Sequence, residues 1–188
     1  MFRWFLQVLL SLSITTGVCS RSLAQVYTTD SGVAEFTSKA PLSEFTGTSS
    51  NLNGLVDLNQ NLLDFYLDLN TLKTGIGLRD RHMRENYLET KKYPFAEFSG
   101  TLDVIPELVT GSKQAVTATG YFTLHGIRNE LTVSGYLTLE ESGALLLEAG
   151  FRVMLGDFNI AIPKVVFYEL AEEQQVRISA VLKPQSNE

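Results

Sequence analysis

The chain has 188 residues, 15 Lys+Arg against 21 Asp+Glu, a formal net charge of −6 and one cysteine. That acidity excludes the basic footprint of a general nucleic-acid binder and strong attraction to anionic headgroups, while favouring solubility. A lone cysteine excludes a disulfide framework and a zinc-thiolate site.

The N-terminus carries the pattern of an export signal. Arg3 supplies the positive start, residues 4–12 an apolar core, and Ser22-Leu23-Ala24 a small-x-small cleavage site. The expectation is a cleaved leader over 1–24 and a single domain over 25–188, exported to the periplasm or otherwise secreted. A membrane anchor would need about 20 apolar residues. A lipoprotein site at Cys19 would want a smaller residue than Val18 before it. Cleavage removes Cys19, so the mature domain carries no thiol and must fold on its core alone.

Period-2 alternation then recurs along the chain. Ala34, Phe36 and Ser38 alternate with Val33, Glu35 and Thr37. Leu63, Phe65, Leu67 and Leu69 oppose Asp64, Tyr66, Asp68 and Asn70. A charged segment follows, with Arg79, Asp80, Arg81, His82, Met83 and Arg84 in a short predicted helix that Tyr93-Pro94 stops. Further rows are Ala96, Phe98, Gly100, Leu102 and Val104; Val116, Ala118, Gly120, Phe122 and Leu124; and Leu131, Val133, Gly135, Leu137 and Leu139. The last are Leu145, Leu147, Ala149, Phe151 and Val153, then Val176, Ile178, Ala180 and Leu182. Turn-forming residues separate them, among them Leu58-Asn59-Gln60-Asn61 and Glu141-Ser142-Gly143. Successive hairpins predict an all-β antiparallel sheet of seven or eight strands, as a sandwich or a closed barrel. Gly100, Gly120 and Gly135 lie on apolar faces, where they either leave internal room or kink a tightly coiled sheet.

Catalytic motifs are scarce. No G-x-S-x-G, HExxH or phosphate-cradling loop occurs. Of the two histidines, His82 lies among arginines and His125 precedes Gly126 in a turn, which suits a turn-stabilising role. Asp80–Arg84 and Arg81–Glu85 have the spacing of surface pairs worth about 0.2–0.5 kcal/mol each. The alternative for this segment is a rim where Arg79, Arg81, His82 and Arg84 meet an anionic or carbonyl-bearing headgroup.

Two stretches resemble the YceI-like family. Asp80, His82, Met83, Tyr87, Leu88, Lys92, Tyr93, Pro94, Ala96 and Phe98 stand at the positions of its charged and "K-Y-P" signatures. Gly120, Phe122, Thr123, Leu124, Gly126 and Ile127 match a second signature, with Phe122 in place of the usual Leu. The resemblance implies an eight-stranded lipocalin-like barrel with a short helical segment near one opening. It also implies a bacterial lipid- or polyisoprenoid-binding role. The expected lining is Phe36, Phe65, Leu67, Leu69, Phe98, Leu102, Phe122, Leu137, Leu147, Phe151, Val153 and Met83. The expected function is a non-catalytic carrier of a polyisoprenoid or quinone-like lipid, with no cofactor or metal, transient membrane contact, and strand edges through which two copies could pair. Two alternatives stand beside it: an envelope interaction module whose barrel is filled, and a small hydrolase or isomerase using His82 with Asp80 or Glu85. The segment from Asp157 to Phe167, with Pro163 in it, departs from the family pattern as an edge strand or a loop over one barrel end.

Overall fold

Inward apolar and outward polar side chains alternate through the computed structural model, which describes residues 26–162 and 170–185. The leader expected over 1–24, with Cys19, and residues 163–167 lie outside the described part. Eight strands follow in order: β1 Val26–Ala40, β2 Ser43–Asp57, β3 Leu62–Asp68, β4 Phe95–Leu102, β5 Lys113–Leu124, β6 Ile127–Leu139, β7 Leu145–Met154 and β8 Glu173–Pro184. Each pairs antiparallel with its sequence neighbour, and β8 closes on β1. Closure decides for the barrel over the sandwich. It gives every strand two hydrogen-bonded neighbours.

β2 is the strand whose alternation is hard to read, for a local reason. Its register with β1 slips between Gly32↔Leu52 and Ala34↔Ser49, and Ser50 and Asn51 are both exposed. A bulge of this kind resets which residues face inward. Val104 also departs from expectation: β4 ends at Leu102, and Val104 is 75% exposed in the following loop.

The two barrel ends differ. At one end Tyr27, Leu139, Leu145 and Leu182 are buried to 2% exposure or less and pack the interior solid. Asn61, at φ 51°, holds that end shut: its Nδ2 donates to the Leu102 carbonyl (2.9 Å), and the Leu102 N–H donates back to its Oδ1 (3.0 Å). The other end carries the β3–β4 and β7–β8 connections. After β3, Asp68 caps a 3₁₀ turn over Leu69–Thr71 by accepting from the Asn70 N–H. Helix α1, Gly77–His82, then runs into a π turn over Met83–Tyr87, where the Leu88 N–H bonds the Met83 carbonyl five residues back. Glu89 adopts φ 45° and the chain turns down towards β4. From the β7–β8 connection, Phe158 and Ile160 are buried in the core at this same end. As far as residue 162, the segment is thus a cover and not a strand.

Asp80 anchors this short helix. Its carboxylate accepts from the Thr74 N–H (2.7 Å) and the Thr74 hydroxyl (2.6 Å). Burial by itself would push the Asp80 carboxyl up, but those two bonds and the nearby Arg84 and Lys73 charges outweigh it and hold the group below the usual carboxylate range. A folded value below the unfolded one stabilises at neutral pH, and the contribution is lost as pH falls through the folded value. Asp80→Asn is therefore expected to lower stability at pH 7 by about 2 kcal/mol. In thermal unfolding followed by circular dichroism, the gap between variant and wild type should narrow once the pH falls below about 4.

Candidate functional site

An eight-stranded barrel is just wide enough for its own side chains to fill it or for one small ligand to enter. Here two cross-strand pairs favour the opening. Phe36 on β1 stands opposite Gly47 on β2, and Gly54 on β2 stands opposite Phe65 on β3. A methyl group at either glycine would strike the facing ring. Each phenylalanine thus lies over bare backbone instead of reaching across the lumen, which is the way aromatic side chains cover strand glycines. Gly100 and Gly120 act differently. Gly100 and Gly120 pair directly, and a Cβ on Gly100 would sit 2.8 Å from the Gly120 Cα. Gly100 and Gly120 permit close strand approach, while Gly135 lines the cavity beside Ala149 and leaves room there, as Gly47 and Gly54 do where the facing rings lie over them.

The outcome is a cavity of about 570 Å³, within the ~300–1,000 Å³ of small-molecule sites. It begins above the packed end, at Val56, Leu102 and Leu137, and reaches Ser43, Phe45, Ile76 and Leu78 at the helical end. Phe36, Phe65, Leu67, Leu69, Phe98, Leu102, Phe122, Leu137, Leu147, Phe151, Val153 and Met83 all line it. Phe98 and Phe122 are register partners, and Phe122 and Phe151 pack edge-on with centroids 5.5 Å apart. The lining also includes Phe45, Leu52 and Val56 from β2 and Leu155, Ile160 and Leu170 from the β7–β8 connection. No alternation in the sequence points to these six.

Of the four expected rim residues, Arg79 and His82 line the cavity, while Arg81 and Arg84 do not. The Arg79 guanidinium lies 4.2 Å over the Phe45 ring, held by a cation–π contact at the opening. Arg81 is exposed to solvent, and the Arg84 charge lies near enough to Asp80 to help hold its carboxyl down. Neither Asp80–Arg84 nor Arg81–Glu85 closes to an ion pair among the described residues. The Asp80 carboxylate is held by Thr74 instead, and an exposed pair such as Arg81–Glu85 gains too little to hold two long side chains together.

The Asp80 carboxylate is engaged by Thr74, and Glu85 is exposed. His125 is the histidine with a full set of partners. At φ 52° it turns β5 into β6, and its ring nitrogens meet the Phe158 carbonyl oxygen (3.0 Å) and the Glu89 carboxylate (2.8 Å). Its ring packs edge-on against Tyr93 at 4.7 Å. It stabilises its turn and also ties the two long connections to each other beside the opening. Among the described residues, no group of three or more His, Cys, Asp or Glu side chains is placed to hold a metal ion.

A family model described as "YceI-like domain" matches residues 25–182. Solved structures share the fold at low identity. A polyisoprenoid binding domain from Saccharophagus degradans, implicated in plant cell wall breakdown, superposes with a TM-score of 0.74 at 17% identity, covering 87% of this chain and 100% of its own. Burkholderia cenocepacia BcnA gives a TM-score of 0.63 at 14% identity, covering 80% and 95%. The Campylobacter jejuni YCEI protein gives 0.55 at 14% identity, covering 100% of both chains. Among curated proteins, none matches this sequence.

Proposed function

Because the chain belongs to the YceI-like family, we propose that it is an exported, non-catalytic carrier that holds one long apolar lipid of the isoprenoid kind inside its barrel. The observation that carries this reading is the apolar cavity of about 570 Å³, closed at one end and opening beside α1. A barrel that served only as an interaction module would gain stability by filling that space. The fold match to a polyisoprenoid binding domain supports the choice of ligand class. Each methylene drawn out of water contributes about 0.8 kcal/mol. A lipid tail already lies dry in a bilayer, so transfer into the cavity is close to balanced, as a carrier that must release its load requires. The half-buried Arg79 at the opening suits a polar or anionic headgroup, and the leader pattern over residues 1–24 supports export.

One measurement tests both parts. Protein recovered from the periplasm of a bacterial host is expected to show, by native mass spectrometry, the polypeptide mass of residues 25–188 plus an excess that organic extraction removes. A bare polypeptide mass from several hosts would overturn the carrier reading, absence of the protein from the periplasm would overturn export, and a mass retaining residues 1–24 would overturn cleavage of the leader.

A further inference from the structure

The open end of the barrel holds apolar side chains out in water. The β3–β4 connection leaves Ile76 and Leu78 50% and 59% exposed, and both line the mouth of the cavity. A Cβ on Gly75 or Gly77 would meet nothing within 4 Å, so this stretch stands clear of the barrel wall. It is nevertheless fixed in place. The Lys73 N–H donates to the Thr48 carbonyl oxygen and the Thr48 N–H donates to the Lys73 carbonyl oxygen, both at 2.9 Å, while Thr74 donates to Asp80. Leu42, 78% exposed between β1 and β2, stands at the same end, next to Ser43 of the cavity wall. Exposed aliphatic side chains gathered in this way mark an interaction surface.

The charges beside them say what it meets. Residues 73–84 hold four cations, Lys73, Arg79, Arg81 and Arg84, against one acid, Asp80, which is buried and bonded to Thr74. This stretch is basic in a chain of formal net charge −6. Elsewhere at the same end the charges are paired or acidic: Lys39 meets Glu44 (3.2 Å), Glu89 meets His125 (2.8 Å), and the β7–β8 connection carries Asp157 and Glu172. At the packed end Val104 and Ile105 are exposed too, but Asp103 and Glu107 flank them. We propose that the Ile76–Leu78 face docks on a bilayer containing anionic lipids, and that the barrel loads and unloads there with its mouth against the membrane. This rests on the carrier reading and adds the place of transfer. A membrane is favoured over a protein partner because the same residues border the opening through which a lipid must pass. The acidity of the whole chain does not oppose it, since charges more than about 10 Å away are largely screened at 0.1 M salt. Each Lys or Arg near the surface, by contrast, strengthens attachment about fivefold. A few inserted side chains and a few cations together give a reversible contact, as repeated loading requires. The β7–β8 connection is repelled by the same surface, so the barrel lies tilted onto α1.

The test puts a reporter at each end. The chain's one tryptophan is Trp4, in the expected leader. In periplasmic protein that has lost the leader, Leu78→Trp and Val104→Trp therefore each supply a single indole, at the open and the packed end. Both are mixed with vesicles of phosphatidylcholine alone or of equal parts phosphatidylcholine and phosphatidylglycerol. On the anionic vesicles the Leu78→Trp emission is expected to shift to the blue and to be quenched by brominated acyl chains, with the Val104→Trp emission unmoved. Wild type is expected to cosediment with the anionic vesicles, less so in raised salt, and Arg81→Glu to bind them at least about tenfold more weakly. Arg81 lies outside the cavity wall, so Arg81→Glu is expected to keep wild-type affinity for geranylgeraniol titrated in solution. Wild type left in the supernatant, or no shift at residue 78, overturns the proposal and leaves the face to a protein partner. Equal shifts at both ends overturn it as well. Failure of wild type to bind geranylgeraniol in solution overturns the carrier reading instead.

Discussion

Ala149→Trp is expected to weaken binding of a long apolar lipid about a hundredfold while the barrel stays folded. Ala149 lines the cavity from β7, opposite Gly135 on β6. The two together leave a stretch of wall without bulk. An indole there has lumen to enter, so it meets no packed neighbour of the sort that makes a larger core residue costly. It also brings apolar surface out of water, which adds to stability. The lipid loses what the indole takes. Displacing about four methylenes at 0.8 kcal/mol each forfeits about 3 kcal/mol, and 1.4 kcal/mol is a factor of ten. Titration of geranylgeraniol into wild type and variant reads the loss directly, and the unfolding temperature confirms the fold. Undiminished affinity would mean that the lipid binds outside the lumen, and the carrier reading would fall.

How far the sequence foretells this site depends on the range of the interaction concerned. A row such as Leu63, Phe65 and Leu67 against Asp64, Tyr66 and Asp68 is legible because one face of each strand meets water and the other does not. All twelve expected lining residues belong to such rows or to the helical segment, and the structure brings them together. Whether the lumen is open or filled is a cross-strand matter. It depends on Phe36 lying over Gly47 and Phe65 over Gly54, and that register appears only once β1, β2 and β3 are aligned. β2 hides the alignment with its slip at Ser50 and Asn51. The rim fails at shorter range. Arg79, His82 and Met83 share a helix face at spacings of three and four and line the cavity, whereas Arg81, two residues from Arg79, falls on the opposite, solvent-facing side.

Gly120→Val is expected to destabilise the barrel by at least about 3 kcal/mol, the upper end of overpacking costs, although valine is the better strand former. Two effects of opposite sign compete here. Strand preference is worth at most about 1 kcal/mol in favour of valine. Against it, a Cβ on Gly120 would meet the Gly100 Cα at 2.5 Å and the Ser99 carbonyl carbon at 2.9 Å. Both are backbone atoms of β4, held by hydrogen bonds to β3 and β5, and neither can swing aside. The strands would have to part where β4 and β5 run closest, and against a total of about 5–15 kcal/mol that is a large share of the stability. Gly47→Ala supplies the contrast, because the only atoms its new methyl meets within 3.1 Å belong to the Phe36 ring. A ring can rotate, and the free direction is the lumen. Chemical denaturation should place Gly47→Ala within about 1 kcal/mol of wild type and Gly120→Val far below it. Lipid titration of Gly47→Ala should show affinity reduced by the space the displaced ring now occupies. If both variants proved equally stable, the close β4–β5 approach would not be what Gly120 provides. Loss of stability without loss of affinity in Gly47→Ala would sever the link between that glycine and the open cavity.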